Sequence, residues 1–178
     1  MDKLENQKCP VCFKDTLTLT EENTEVPYFG RVFIFSMKCS NAECDYSMSD
    51  VETEERKDPT KYTIEINSDK DMNIRVVKSS TGIVRIPQLK VDIEPGVASI
   101  GYVTNIEGVL DRVKKIIEEE RDTTEDDDIK ENAKKLLKKI WKIKLGDLPI
   151  KIIIEDESGN SAIISEKAKI ENLKIKGN

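Results

Sequence analysis

The chain has 178 residues and a formal net charge of −6, and 36% of its residues are charged. This length allows one core of ordinary size together with a small metal-held module. The apolar residues recur in periodic runs, which argues against disorder, and no run reaches the roughly 20 residues of a membrane-spanning helix. The sequence has no histidine, which removes the commonest general base and excludes a Ser-His or Cys-His nucleophile. We therefore expect a cytoplasmic protein that does not enter a membrane and is not an enzyme, with an enzyme built only on carboxylates and lysines as the open alternative.

All four cysteines lie before residue 45, in two close pairs. Cys9 and Cys12 belong to Cys-Pro-Val-Cys, and Cys39 and Cys44 to Cys-Ser-Asn-Ala-Glu-Cys. Two such pairs, joined by a stretch that can run out and back as strands, predict a zinc ribbon in which four thiolates hold one structural zinc ion. The alternative is a pair of disulfides in a secreted domain. It is disfavoured because the first seven residues lack the apolar segment of a signal peptide.

The sequence around the cysteines predicts a short ribbon. Residues 1–8 are polar, and we expect them to form a tail. Residues 16–20 alternate with the period of a half-buried strand, and residues 21–25 are predicted to form a polar turn.

Residues 31–38 predict a second strand that returns to the second cysteine pair. This strand is apolar enough to be covered on both faces, so we expect it to pack on the next domain. Phe33, Phe35 and Met37 are expected on one of its faces, with a plain ribbon core as the equally open alternative.

The ribbon is acidic. Residues 1–54 contain 5 basic and 11 acidic side chains, so they account for the whole formal charge deficit of the chain. Phosphate backbones repel such a surface, so nucleic-acid binding is not expected. The alternative function is nevertheless a zinc-ribbon adaptor for nucleic acid or for the transcription or translation machinery, which salt-dependent binding to RNA or DNA would reveal.

Beyond a charged connector at residues 51–60, the chain predicts a β domain. Four short strand-like runs follow one another at residues 61–66, 74–78, 82–86 and 89–93. Turn residues separate them at the spacing of a sandwich or barrel. Pro87 cannot donate to a strand ladder, so we expect it at a strand end or edge.

The hydrophobic period then changes to that of a helix. Thr104 and Glu107 have the spacing of a capping box, which predicts the start of a first helix. The apolar residues of this helix recur at Ile106, Val109, Leu110, Val113, Ile116 and Ile117. Those of a second helix, beyond a turn at 121–125, recur at Ile129, Ala133, Leu136, Leu137, Ile140 and Trp141. Acidic residues at its start and lysines at its end match the helix dipole, and Gly146 is expected to stop it.

Strands return after the helices. Residues 150–154 and 161–165 predict two strands around a turn at 156–160, where Asp is favoured by the hydrogen bonds it makes in turns. No spacing of acidic residues indicates an acid–base or cation site. The predicted organisation is a zinc ribbon at residues 1–54 and a β domain at residues 55–178, with a helical hairpin inserted at about 104–145.

Several motifs together resemble the ZPR-type zinc-finger proteins. The Cys-x2-Cys pair, Pro-Tyr-Phe-Gly at 27–30 and Ser-Met-Lys-Cys at 36–39 look like the zinc finger of that family. Residues 77–96, 101–110 and 156–161 are similar, in the same order, to its later segments. The chain is identified as a single-unit, archaeal-like member. The resemblance implies a mostly β fold with α: an N-terminal zinc ribbon, then a double-stranded β-helix-like (jelly-roll-like) domain with an inserted α-helical hairpin.

The resemblance also implies a partner. Eukaryotic members of the family bind translation elongation factor 1-alpha and help it to fold. We therefore expect a zinc-dependent protein-binding module that binds this factor and assists its folding or biogenesis. The candidate partner-binding residues are Tyr28, Phe29, Arg85, Pro87, Glu107 and Trp141. The structural alternatives are that Pro87 shapes a strand end, that Glu107 caps a helix and that Trp141 fills a core.

Overall fold

The fold is mostly β with two α-helices, in a computed structural model that describes residues 2–27, 29–54, 57–96 and 99–173. The strands are β1 (Asp2–Gln7), β2 (Leu17–Val26), β3 (Gly30–Cys39), β4 (Ser47–Thr53), β5 (Thr60–Ile66), β6 (Arg75–Lys78), β7 (Ile83–Ile86), β8 (Val91–Ile93), β9 (Tyr102–Asn105), β10 (Ile150–Asp156), β11 (Ala162–Ile164) and β12 (Lys169–Asn172). The helices are α1 (Ile106–Thr123) and α2 (Asp127–Lys144). No helix in the described residues is long and apolar enough to cross a membrane.

The ribbon is a four-stranded antiparallel sheet in the order β1-β2-β3-β4. Two predictions for it are wrong. The expected N-terminal tail is the edge strand β1, which pairs with β2 although all of its residues are exposed. The expected turn at residues 21–25 is the continuation of β2, which pairs with β3 as far as Val26. Backbone pairing stabilises both segments, and Leu4 is the one apolar side chain in Asp2–Gln7 and residues 21–25, so neither segment produced a strand pattern.

Strand β3 packs on the rest of the protein through one face. Val32 is fully buried in the main core and Ile34 packs against it. Phe33 and Phe35 point the other way, with their rings stacked at 6.4 Å between centroids. Met37 shares their side of the strand, because side chains alternate along β3. The expected packing of β3 is therefore present, but the residues that make it are Val32 and Ile34.

The jelly roll is built from a five-stranded sheet, β12-β5-β10-β7-β8, and a three-stranded sheet, β11-β6-β9. Central strand β10 alternates between buried and half-buried side chains along its whole length. Its buried Ile152 lies opposite Ile64 of β5, which is also buried. Each such isoleucine contributes about 2–3 kcal/mol by leaving water. The sequence predicted all these strands except β9 and β12. The residues of β12 are all exposed, and Thr104 of β9 was expected to cap a helix.

One hydrophobic core joins the ribbon to the jelly roll. The ribbon contributes Val26, Phe29, Val32 and Val51, which belong to the same cluster as the isoleucines of β5 and β10. The backbone continues the connection, because Gly101 N–H donates to the Ser49 carbonyl at 2.8 Å. The domain boundary at residue 54 stays a prediction.

Helix α1 begins at a different cap from the one expected. The cap is Asn105, whose side-chain oxygen accepts a hydrogen bond from Gly108 N–H at 2.9 Å. Thr104 lies in β9, paired with Val76. The capping-box prediction is therefore wrong, because strand pairing fixes Thr104 outside the helix. Glu107 is exposed and forms an ion pair with Lys144 of α2 at 3.1 Å.

Helix α2 packs on α1 and the core through Ala133, Ile140 and Ile143. Asp126 caps its start by accepting hydrogen bonds from the next turn. Trp141, expected on the apolar face, is 62% exposed. It is displaced by about 100° from its neighbour Ile140 around the helix, and Ile143 takes the position against the core. The sequence pattern included two residues too many on this face, since Ile129 is also exposed, at 40%.

Gly146 ends α2 as predicted, with a positive φ of 81°. Replacing it with alanine is expected to destabilise the protein by at least about 1–2 kcal/mol, because an L-residue resists this backbone conformation. The added Cβ would also lie 2.9 Å from the backbone nitrogen of Asp69. Urea denaturation measures the change. The matched control is Gly96→Ala, where a Cβ would meet nothing within 4 Å; an equal loss in both variants would contradict the prediction.

Candidate metal centre

Two tight turns aim the cysteines at one point. In the first, Cys9 N–H donates to the Lys14 carbonyl at 2.9 Å, and Phe13 N–H donates to the Cys9 carbonyl at 3.0 Å. In the second, Cys44 N–H donates to the Asn41 carbonyl at 2.9 Å. Each turn thus closes on backbone hydrogen bonds and leaves its sulfurs free to face inward.

The β2–β3 ladder brings these two turns together. Leu17, at the start of β2, lies opposite Cys39, at the end of β3. Just before β2, the Thr16 carbonyl accepts a hydrogen bond from Ser40 N–H at 2.9 Å. The Thr16 hydroxyl lies 3.2 Å from the Cys39 sulfur. The 26 residues between the pairs therefore run out and back as a hairpin, as predicted.

The four sulfurs have the spacing of a tetrahedral zinc site. All lie within 4.8 Å of one another. Those of Cys9 and Cys44 are 3.8 Å apart, and those of Cys12 and Cys39 are 3.7 Å apart. Zinc–sulfur bonds of about 2.3 Å at tetrahedral angles place sulfurs about 3.8 Å apart. The residues present therefore fit one structural zinc ion, and four thiolates leave no open position for a catalytic water.

Without a metal ion, the surrounding protein groups do not favour ionisation of all four cysteine thiols. The backbone N–H of Lys14 is the largest influence on Cys12 and, together with hydrogen bonds from neighbouring side chains, lowers the pKa of its thiol to about 6. The backbone N–H of Tyr46 is the largest influence on Cys44 and also lowers its pKa, but burial and the other three thiols together raise it to about 11. A bound zinc ion supplies the positive charge that lets all four cysteines ionise together.

The structure separates the six predicted partner-binding residues. Phe29 is buried in the core at 9% exposure, with the Lys57 ammonium 3.6 Å from the centre of its ring. Arg85 lies half-buried on the outward side of the five-stranded sheet, and Pro87 is exposed at the end of β7, as expected for that residue. Glu107 and Trp141 are exposed on the helical hairpin. Tyr28 lies outside the described residues.

Arg85 belongs to a charged cluster on the sheet. Its guanidinium contacts Glu155 at 3.3 Å and Asp92 at 2.9 Å, and Lys61 contacts Glu155 at 2.8 Å. The hydrogen bond to Glu155 is the main cause that raises the pKa of Arg85. These ion pairs give Arg85 a structural role in addition to its predicted role in partner binding.

A buried carboxylate is the feature that sequence reasoning missed. Asp156 is 1% exposed and accepts hydrogen bonds from four hydroxyls. The donors are Ser79 at 2.7 Å, Thr81 at 2.8 Å, Ser158 at 2.8 Å and Ser161 at 2.6 Å. Because every donor partners the same carboxylate, this is a satisfied structural network. The sequence signal for this network is its two hydroxyl-rich turns, residues 79–81 and 158–161. Only the fold shows that these turns lie next to each other.

The same turns tie the jelly roll to the ribbon. Asp50 of β4 accepts hydrogen bonds from Ser80 N–H at 2.7 Å and from the Ser80 hydroxyl at 2.6 Å. The Asn160 side-chain oxygen accepts one from the Thr53 hydroxyl at 2.8 Å. These bonds fix the last strand of the ribbon against the buried network.

A four-cysteine ribbon fused to a jelly roll with a helical hairpin defines a zinc-finger protein built on a β scaffold. Comparison with known proteins identifies the family. Residues 70–177 match the ZPR1 jelly-roll domain. The chain is 38% identical over 174 residues to a ZPR1-like protein of Methanocaldococcus jannaschii, covering 97% of this chain and 87% of that protein. The chain belongs to the ZPR1 family.

Two further relatives show how the family extends. A ZPR1-like protein of Pyrococcus horikoshii is 39% identical over 169 residues, covering 93% of this chain and 75% of that protein. The zinc finger chaperone zpr1 of Schizosaccharomyces pombe is 30% identical over 144 residues, covering 79% of this chain but 30% of that protein. The chain thus spans most of the archaeal proteins and about a third of the yeast one.

Proposed function

We propose that this protein is a cytoplasmic, zinc-dependent protein-binding module that binds translation elongation factor 1-alpha and assists its folding, and that it is not an enzyme. The observation that carries the proposal is its likeness to the S. pombe protein named a zinc finger chaperone, over 79% of this chain. The four-thiolate site agrees with it, because a closed zinc site shapes a surface and offers no position for a reacting water.

In this proposal Cys9, Cys12, Cys39 and Cys44 are the four zinc ligands. Zinc holds the turns at one end of the ribbon, while its other end shares the core of the jelly roll. The metal therefore stabilises the shape of the binding surface. Arg85, Pro87, Glu107 and Trp141 remain candidates for contacts with the partner.

The direct test is recovery of the partner from a native extract. The zinc-loaded full chain should retain elongation factor 1-alpha, and the same chain stripped by a chelator should not. Refolding of the denatured purified factor gives a second readout, and its yield should rise with the zinc-loaded chain. A folded, zinc-loaded chain that neither retains the factor nor raises this yield would overturn the proposal.

The exposed Trp141 provides a sharper version of this test. Trp141→Ala is expected to weaken binding of the factor about tenfold or more, since exposed tryptophans are frequent binding hot spots. It should change the free energy of unfolding by no more than about 0.5 kcal/mol, because the side chain is 62% exposed. Titration calorimetry and urea denaturation measure the two effects. Ile116→Ala is the matched control, because Ile116 is also an exposed apolar residue of the hairpin, at 50%.

A further inference from the structure

The outward side of the ribbon sheet carries a row of apolar side chains with acidic neighbours, and two of them, Leu19 and Met37, also pack against the cysteine cluster. We call this set the outer ribbon face. Its apolar members are Leu4, Leu19, Phe33, Phe35, Met37 and Met48, and its acidic members are Asp2, Glu21 and Glu52.

The strand register aligns four of the apolar side chains in one row. Leu4 lies opposite Leu19, Leu19 opposite Met37, and Met37 opposite Met48. Four adjacent strands at about 4.8 Å spacing make this row about 14 Å long. The row therefore crosses the whole sheet without interruption.

The row lies in an open groove. The groove has a volume of about 440 Å³, and Phe35 lies beside the row within it. Leu4 is 62% exposed and Met48 is 37% exposed. Soluble proteins keep contiguous exposed apolar patches small, and larger ones mark interaction sites.

The charge around the groove has one sign. Its lining includes Asp2, Glu21, Asp50 and Glu52, and no lysine or arginine among the described residues. Asp50 is occupied by Ser80, as described above. Within the described part of the chain, the other three carboxylates have neither an ion pair nor a side-chain hydrogen bond. The groove therefore offers three unpaired negative charges beside an apolar row.

We propose that the outer ribbon face is the docking site for a basic segment of a protein partner, with apolar side chains entering the groove and lysine or arginine side chains reaching its carboxylates. Asp2 and Glu21 each stand two residues along their strand from the row, about 7 Å away. An amphipathic segment lying across the strands matches this separation. Charge complementarity favours a basic over an acidic partner segment, because an acidic segment would be repelled by the unpaired carboxylates of the groove. The inference rests on the proposed protein-binding function and adds the contact surface and the partner's chemistry.

The test uses two labelled synthetic peptides with the zinc-loaded full chain. One contains leucine and lysine, and the other has glutamate in place of every lysine. Fluorescence anisotropy should show binding of the leucine–lysine peptide alone, weakening as salt is added. The triple variant Asp2→Asn, Glu21→Gln, Glu52→Gln is expected to weaken binding about tenfold or more. The double variant Leu4→Ala, Met48→Ala should weaken it similarly, since both residues are exposed and need not affect folding.

The matched control removes three carboxylates elsewhere. The variant Glu120→Gln, Glu125→Gln, Glu157→Gln loses the same charge at exposed positions outside the ribbon and should bind the peptide like the unmodified chain. Equal weakening in the control and in the triple variant would overturn the proposal, because net charge alone would then explain binding. A dimer of the unmodified chain that the double variant abolishes would also overturn it, since a second copy would then occupy the face.

Recovery of elongation factor 1-alpha separates this inference from the function on which it rests. If the face variants retain the factor as well as the unmodified chain does, the docking site is wrong and the proposed function stands. If the leucine–lysine peptide binds the face but the factor is never retained, the partner is wrong and the docking chemistry stands.

Discussion

Replacing Cys9 with serine is expected to unfold the zinc ribbon while the jelly roll stays folded. Structural zinc contributes about 10–16 kcal/mol of binding free energy in zinc-finger peptides at neutral pH, and much of this is folding free energy. The cysteines and Leu17 form a small cluster of their own, so little else holds that end of the sheet. Loss of one thiolate therefore removes the main source of order there. Chelation of zinc should have the same effect.

Far-UV circular dichroism and hydrogen exchange measure this outcome. Amides of β2 and β3 near the cysteines should exchange rapidly, and those of β5 and β10 should stay protected. Ser47→Ala, at an exposed position beside the site, is the control and should keep both the zinc and the protection pattern. Collapse of the spectrum of the whole chain would contradict the expectation and the division at residue 54, because the ribbon valines would then be indispensable to the shared core.

Replacing Asp156 with alanine is expected to destabilise the protein by about 3–5 kcal/mol. Breaking a buried, hydrogen-bonded charge network has a cost of this size. Four hydroxyl donors would lose their acceptor, and those of Ser79 and Ser161 are buried away from water. Lys78, which is 3% exposed, would also lose a carboxylate that favours its charged form. Urea denaturation gives the change in the free energy of unfolding.

The same carboxylate makes stability depend on pH. Burial is the largest influence on Asp156 and raises its pKa, but the hydroxyls of Ser161, Ser79, Ser158 and Thr81 together hold the pKa below its ordinary value. A carboxyl whose pKa is lower in the folded state stabilises that state above its unfolded pKa of about 3.9. Its contribution is lost as the pH falls through the folded value. The variant should therefore lose less stability than the unmodified chain between pH 5 and strongly acidic conditions.

Glu157→Gln is the control for both effects, since Glu157 is the exposed neighbour of Asp156. It should change stability by no more than about 0.5 kcal/mol and leave the acid dependence unaltered. If Asp156→Ala and Glu157→Gln unfold at the same urea concentration, the buried network does not stabilise the fold.

The local patterns predicted the clustering of the four cysteines and most elements correctly because they depend on near neighbours. The two cysteines of Cys-x2-Cys lie within one turn, so their separation is fixed locally. Strand β3, which returns to the second pair, was predicted from its apolar composition. The isoleucines of β10 and the apolar positions of α1 repeat at the period of their element. Gly146 ends α2 because the positive φ of this helix end favours glycine, and this preference does not depend on the tertiary structure around the helix.

Most of the failures concern partners distant in sequence. Strand β1 is exposed and polar, and only its pairing with β2 makes it a strand. Thr104 has the spacing of a helix cap but is held in β9 by β6. Phe29 and Trp141 are both aromatic, yet one is buried and the other is exposed. Strand β1, Thr104 and Phe29 are each fixed by a contact that local spacing does not encode.

The sequence by itself determined that the chain has four cysteines spaced for one zinc ion, strands of a β fold and a helical hairpin, since cysteine spacing and hydrophobic period are local properties. Only the tertiary structure decided that Val32 and Ile34 pack on the core while Phe35 and Met37 line an acidic groove. It also placed Asp156 among four hydroxyls. The reason is physical: burial and charge pairing depend on which surfaces meet, and sheet topology sets those meetings between segments far apart in the chain.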